Sequence, residues 1–487
     1  MSIFNTIKNT LMNISIKICI IGMVFSYLTI GCAEKFLDVQ PGSQYSSDFL
    51  NTKEGVEAIT NSAYQNILLT GDAGVNRIYV EESCTDVFIN FRGLLNGNLQ
   101  PFMDFTWAAS QVYLQDFWRS NYRAIRDANL LLDAIPEHPQ LNDAEKRQLS
   151  GEMHFIRGFA YAYLYSWFGA VPLVTPDSEL LLPRSTDAET RAQIEGDLTA
   201  AIEELNTTAP LYGRATKGAA LGLLAQYYLQ TRQWEKASGT AQQVIDLNLY
   251  GLWPDVRTLF ALNNEGNKEM IYAAPAIAMN GHGNVWIANA LPPGYPTDVM
   301  NTATQVCLPL AFYQTFANDD QRKALILTHY TNKSGTAINL TTGEEYQNPR
   351  SFKYPLDPAQ VERHGGMDFP ILRYAEILLI KAEADVMAGK SIADALPYLN
   401  QVHTRAGLLP YRAADIADRN EFIEFVLNER KWEFFSEGRR RQDLLRHDQF
   451  LQNAIDRGKQ AQAFRTLFPI PQSEMDANPN LVQNDGY

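Results

Sequence analysis

The stretch 373–446 constrains the chain most, because it sets three glutamates on a helix face where apolar residues would be expected. It opens RYAEILLIKAEADVMAGKSIADALPYLNQVHTRAG, with Ile377, Ile380, Ala384 and Met387, then Leu396, Leu399 and Val402, at three- and four-residue spacings. Gly389 separates the two runs and Gly407 closes the second, so the spacing predicts a helical hairpin with a glycine at each stop. The stretch resumes as EFIEFVLNERKWEFFSEGRRRQDLLR, in which Glu429, Glu433 and Glu437 follow one another at i, i+4 on one face of a third helix. Like charges so placed repel by about 0.2–0.5 kcal/mol per pair even on a solvated helix. This stripe continues the line of Phe422 and Val426 and is flanked by Ile423, Leu427 and Phe434, so it should lie at least partly against protein. Buried acids need cations, since an unpaired buried charge costs far more than a surface pair gains. Arg373, Arg405, Arg430, Arg439 and Arg446 are the candidates, and with the three glutamates they predict an internal ion-pair network holding helices in register. The alternative is a solvated acidic stripe.

Other segments carry the same period. Residues 114–136, with Phe117, Trp118, Tyr122, Ile125, Asn129 and Leu132, read as a helix. A second follows with Phe155, Phe159, Tyr163 and Phe168 at helical spacing, stopped by Gly169 and Pro172. Such an aromatic stripe is core far more often than binding surface. In 217–248 the residues Leu221, Ala225, Ala237 and Val244 fall at the large and small positions of a tetratricopeptide-type helix pair, and Ala382 or Ala384 with Ala395 and Val402 restate the pattern one residue out of register. One such pair cannot bury its apolar face alone, so further helices near 120–168 and 189–208 should stack with it. The expected fold is mainly α: a tetratricopeptide-like helical-hairpin scaffold, about 114–250 and 371–450, with a loop-rich irregular region carrying a few short strands. Two stretches rich in Gly, Asn, Pro and aromatics, about 70–113 and 251–370, are expected to supply that region. Long loops in a compact body are functional or disordered, and the aromatic content argues against disorder.

Several blocks, far apart and in order, carry a family resemblance: RYAEILLIKAEA, LNQVHTRAG, NERKWEFFSEGRRRQDLLRH and FPIPQSEMDANPNLVQNDGY. Together with FLD and Pro41 near the start, the helix around 58–64, and G-x-V-P-L after the aromatic helix, they resemble the SusD/RagB family of outer-membrane nutrient-binding lipoproteins. The resemblance implies a non-catalytic cell-surface protein that captures a glycan or other nutrient. Its helical face would pack on a SusC-like TonB-dependent transporter barrel, and its irregular part would hold the ligand.

The amino terminus fits that compartment. Lys8 and Lys17 precede a mostly apolar run, 18–30, too short to span a bilayer that needs about 20 residues. The run ends Leu28-Thr29-Ile30-Gly31-Cys32, which resembles the lipobox at which bacterial lipoproteins are cut and acylated on the new terminal cysteine. Residues 1–31 are thus expected to be a removed signal, and 32–487 a single body anchored to the outer membrane through lipid on Cys32. Pro41 and Gly42 favour an extended leader before the first helix. Removing 1–31 takes away two lysines and no acid, moving the net charge from −14 to −16. Such a chain lacks the basic face that nucleic acid demands. Cys84 and Cys307 remain, either as a disulfide or as two buried thiols.

No catalytic, cofactor or metal signature is present: none of the seven histidines forms H-x-x-x-H or lies near G-x-S-x-G, and no C-x-x-C or P-loop occurs. A sugar presents an apolar C–H face and a rim of hydroxyls, so its site wants an exposed aromatic ring beside amides or cations. Trp286 and Tyr295 stand among Asn284, Asn289, Pro292 and Gly294, and Phe91 and Trp107 accompany Arg92, Asn96 and Asn98. Phe91, Arg92, Asn98, Trp107, Asn284, Trp286 and Tyr295 are therefore the candidate ligand residues; the alternative is that the rings are satellite core under the loops. A rival function, a tetratricopeptide-like peptide-binding or assembly scaffold on the outer membrane, would place its ligand in the helical groove instead.

Overall fold

The computed structural model describes residues 47–68, 72–176, 178, 181–300, 305–344 and 346–487. Cys32, the 1–31 signal and the Pro41 leader lie outside the described residues. The chain divides into two units, Met1–Thr52 and Lys53–Tyr487. Of the first, the described part is a short helix, Ser47–Leu50, closed by Thr52 Oγ1 donating to the Phe49 carbonyl at 2.8 Å.

The second unit is built on a run of stacked helices: α1 (Lys53–Leu68), α2 (Asp72–Ser83), α3 (Val112–Ala134), α4 (Asp143–Phe168), α5 (Asp187–Glu204), α6 (Lys217–Gln230), α7 (Trp234–Asp246), α8 (Tyr374–Met387), α9 (Ile392–Arg405), α10 (Arg419–Glu433) and α11 (Arg440–Arg446). From α3 to α9 each packs on the next, although 127 residues of chain separate α7 from α8. Starts are set by side-chain caps: Asn142 and Thr186 form capping boxes with Glu145 and Glu189, and Ser391 and Asp418 cap α9 and α10. Gly389 and Gly407 end α8 and α9 at φ +95° and +88°, a backbone region closed to most side chains. Close approach is visible at Gly158 of α4, where a Cβ would stand 2.9 Å from Leu198 of α5. The fold is thus mainly helical, as the spacing predicts, with a core in which Leu378, Leu379 and Ala382 of α8 meet Leu399 and Val402 of α9 and Phe422 and Val426 of α10.

The 70–113 stretch corrects the sequence reading. It holds α2 and a further helix, Leu94–Met103, rather than loops. Val75, Ile78, Tyr79, Val80, Glu81 and Glu82 of α2 are all buried, so the helix has no polar face from which a period could be read. Gly97 and Pro101 disguised the other. The 251–370 stretch is irregular. Among the described residues, β1 (Ile89–Asn90), β2 (Met270–Ala274), β3 (Val306–Cys307), β4 (Ile326–Leu327), β5 (His329–Thr331), β6 (Ala337–Asn339), β7 (Arg350–Ser351) and β8 (Phe369–Arg373) form four two-stranded antiparallel sheets: β1–β3, β2–β8, β4–β7 and β5–β6. This layer has its own apolar cluster, in which Val87, Phe260, Leu308, Phe312 and Ile326 surround Phe435 from just beyond α10. Cys84 and Cys307 are both buried and free.

Candidate functional site

The acidic stripe is what fastens the loop layer to the helices. Glu429 and Glu433 are buried on α10. The helix stops at Glu433, so Glu437 lies in the following turn, where Ser436 and Gly438 take φ +64° and +73°. That corrects the placement of all three on one helix, yet Glu437 still joins the other two. Arg373, at the end of β8, reaches Glu433 at 3.0 Å, Glu437 at 2.8 Å and Glu269, the residue before β2, at 2.6 Å. Arg405 of α9 bridges Glu269 at 3.0 Å and Glu433 at 2.5 Å. Two further cations come from the loop layer: Arg322 pairs with Glu429 at 2.6 Å, Glu433 at 3.3 Å and Asp320 at 2.8 Å, and Lys353 with Glu437 at 2.7 Å. His403 Nδ1 lies 2.7 Å from the second oxygen of Glu429.

Burial alone would raise the Glu433 carboxyl, but the guanidinium groups of Arg405, Arg373 and Arg322 outweigh it and hold the group well below the usual carboxylate range. Glu437 is lowered for the same reason, by Arg373 and Lys353. Their neighbour Glu82 behaves oppositely. Buried in α2, it accepts from the Glu437 and Gly438 amides, both at 3.0 Å, and desolvation pushes it up to about 8.

Arg430, Arg439 and Arg446 make no ion pair with this set; Arg439 meets it only by donating to the Glu437 carbonyl at 3.4 Å. They form a second cluster on the other side of α10, where Glu376 takes Arg430 (3.4 Å) and Arg439 (3.1 Å), and Asp443 takes Arg430 (2.9 Å) and Arg446 (2.5 Å). Arg446 also pairs with Glu383 at 2.5 Å. The eight residues that the sequence groups together therefore divide into two networks. Their missing members, Glu269, Asp320, Arg322, Lys353, Glu376, Glu383 and Asp443, are ordinary charged residues in sequence, and nothing in their local spacing marks them.

On this foundation the loops present two groups of half-buried rings. Tyr295 stands 5.5 Å from both Tyr330 and Phe352, and the Tyr330 hydroxyl donates to the Pro293 carbonyl at 2.7 Å. Phe91, following β1, meets Tyr346 edge-on at 6.3 Å, with the exposed Arg92 guanidinium 5.5 Å over the same ring. Arg350 of β7 holds this corner from below, donating to the Tyr346 carbonyl at 2.9 Å and to Gln305 Oε1 at 2.7 Å. Burial lowers its guanidinium to about 10, so it stays charged at neutral pH. The two candidate stretches are joined here without a disulfide, by the β1–β3 pairing of Ile89 with Cys307 and Asn90 with Val306.

Four of the seven candidate ligand residues are set differently from the sequence expectation. Trp286 is 0% exposed, packed between Tyr79 at 5.1 Å and Tyr354 at 5.7 Å, with its indole N–H donating to the Ser351 carbonyl. Trp107 is 1% exposed, stacks on Phe102, and donates to the Tyr487 hydroxyl at 2.6 Å. Asn284 is buried and caps the Trp286 amide at 2.8 Å. Asn98, half-buried, is spent on the Tyr113 hydroxyl at 3.2 Å. Neither tryptophan can offer a face to a ligand, because the irregular layer gains its stability by burying its largest rings. Phe91, Arg92 and Tyr295 remain partly or fully exposed; Tyr330, Tyr346 and Phe352 pack against them, isolated aromatics in polar runs that carry no sequence pattern. Among the described residues no group of His, Cys, Asp and Glu is arranged to hold a metal ion, and no helix is long and apolar enough to cross a membrane.

The family model described as SusD family matches residues 294–487, and that described as starch-binding, associating with outer membrane, matches residues 35–229. SusD-like protein P2 of Formosa agariphila is 29% identical over 433 residues, covering 80% of this chain and 84% of the relative. A SusD superfamily protein from Parabacteroides distasonis shares the fold with a TM-score of 0.76 at 24% identity, covering 91% of this chain and all of that one. Surface glycan-binding protein A from Bacteroides fluxus does so with 0.76 at 22%, covering 90% and 100%. With family models matching residues 35–229 and 294–487, and relatives matched along most of its length, the chain belongs to the SusD/RagB family.

Proposed function

We propose that the protein is a non-catalytic glycan-binding subunit of the outer membrane, anchored by lipid on Cys32 at the cell surface, that passes saccharide to a SusC-like TonB-dependent transporter. The observation that carries this reading is the loop face formed by two ring groups, Tyr295 with Tyr330 and Phe352, and Phe91 with Tyr346 under the exposed Arg92 guanidinium: rings for C–H faces and a cation for hydroxyls. Similarity to starch-binding and glycan-binding relatives supports it. The peptide-scaffold alternative would place its ligand along the stacked helices instead.

The experiment is a glycan array followed by calorimetric titration of the saccharide it identifies. Tyr295→Ala and Tyr346→Ala should each weaken binding at least about tenfold, about 1.4 kcal/mol, with little change in Tm. Wild-type affinity in both moves the site off this face, and a peptide bound along the helices instead restores the scaffold reading. Anchoring is tested separately: Cys32→Ala should release folded protein from the membrane fraction in cells lacking the transporter, and a wild-type Cys32 without lipid by mass spectrometry refutes the tether.

A further inference from the structure

A cleft of about 420 Å3 opens between the C-terminal ends of α4 and α6 and the side of α11. It narrows into a recess of about 20 Å3 that reaches Glu81 of α2, room for about one water molecule. Ala162, Ser166, Tyr227, Gln230 and Gln442 line both parts. The recess is polar but unsatisfied. The Tyr227 hydroxyl, on a residue 98% buried, has no hydrogen-bond partner, nor does the buried amide nitrogen of Gln442. One oxygen of Glu81 accepts from the Trp167 indole, and the other makes no hydrogen bond. Native proteins rarely leave such groups without a hydrogen bond, and here the residues that bear three of them line one recess.

The chemistry of the unmet groups selects the ligand. Glu81 at the floor repels anions, and Arg439 beside it, with Arg441 paired to the second Glu81 oxygen at 3.7 Å, repels cations. The charges at the mouth are already engaged: Arg184 donates to the Ala170, Phe168 and Val482 carbonyls, Arg232 pairs with Asp448 at 2.6 Å, and Asp187 with Arg191 at 2.8 Å. What is left is a phenol that can donate or accept and an amide donor, which together match hydroxyl groups. The half-buried Tyr165 ring at the mouth, edge-on to Tyr227 at 6.4 Å, offers an apolar surface for a ring's C–H face. The cleft volume falls in the range of small-molecule sites.

We propose that this cleft is a second binding site, for a neutral polyhydroxylated molecule of monosaccharide size, with one hydroxyl entering the recess to pair with Tyr227 and Gln442. It belongs to the helical scaffold and does not depend on the loop face. The test uses the full mature chain with glucose, galactose, mannose and glycerol at high millimolar concentration, read by saturation-transfer NMR and by crystals soaked in each. At least one should occupy the cleft. Tyr227→Phe should weaken it about tenfold or more without lowering the ligand-free Tm, because the lost hydroxyl has no bond to break. Gln442→Leu should weaken it likewise, and Tyr346→Ala should leave it unchanged. Ordered water alone in the recess of all four soaked crystals overturns the proposal, as does wild-type binding by Tyr227→Phe. Loss of binding in Tyr346→Ala would assign the signal to the loop face and overturn it equally.

Discussion

Replacing Arg373 by methionine removes a guanidinium while keeping much of the side chain's length. Arg373 is fully buried and serves three carboxylates at once, Glu269, Glu433 and Glu437, between the rings of Phe434 at 4.9 Å and Phe260 at 5.3 Å. In its network five carboxylates (Glu269, Asp320, Glu429, Glu433, Glu437) face four fixed cations (Arg322, Lys353, Arg373, Arg405) and His403. Arg373→Met leaves three cations against five acids. Deleting one partner of a buried pair costs about 3–5 kcal/mol, and the loss of three contacts places this variant near the top, at about 5. Glu433→Gln leaves four against four, and each of its guanidinium partners keeps another carboxylate, so its cost should lie near about 3. Urea unfolding with matched m-values measures both. The pH dependence has a definite sign. Glu433 and Glu437 are held below their unfolded value, so their contribution is present above about pH 4.3 and is lost as pH falls through the folded values. Carboxylates left without Arg373 take up protons more readily, so the gap between wild type and Arg373→Met should be widest near neutrality and narrow on acidification. A cost below about 1 kcal/mol, the value of an exposed pair, refutes the reasoning, as does a Glu433→Gln cost exceeding that of Arg373→Met.

Two other outcomes follow from the same geometry. Glu82, raised to about 8 chiefly by desolvation, holds a proton in the folded state that the unfolded chain has released, so stability should decline as pH rises between about 4.3 and 8; Glu82→Gln keeps an oxygen for the Glu437 and Gly438 amides and should flatten that decline in urea midpoints taken at several pH values. Trp286→Ala should cost about 3–5 kcal/mol by calorimetry, with glycan affinity of the surviving folded fraction little changed; a stable variant with lost affinity would put the ring back in the site.

The helices were legible because their signals are local. Glycine stops and three- and four-residue apolar spacing lie within a few positions of one another, and α8, α9 and α10 follow them closely. Legibility failed where a helix has no polar face, as in α2, and where Gly97 and Pro101 stand inside the Leu94–Met103 helix. The candidate ligand face was half legible: aromatic residues beside Asn and Arg were recognisable, but which ring faces solvent was not.

The sequence by itself determined that the stretch after Gly407 carries acids too near the core to stand alone, and that cations had to meet them. Only the tertiary structure decided which ones. Arg322 lies 107 residues before Glu429, and Lys353 lies 84 before Glu437, both in the irregular layer. Local spacing states a charge's need, but a partner is chosen by whatever segment the folded chain brings within about 3 Å. The same holds for the rings. Trp286 and Tyr295 look alike in sequence, nine positions apart among asparagines and glycines, and differ because Tyr79 and Tyr354, from distant parts of the chain, close over the first. Burial is a property of neighbours in space, and for an irregular layer those neighbours leave no period in the chain.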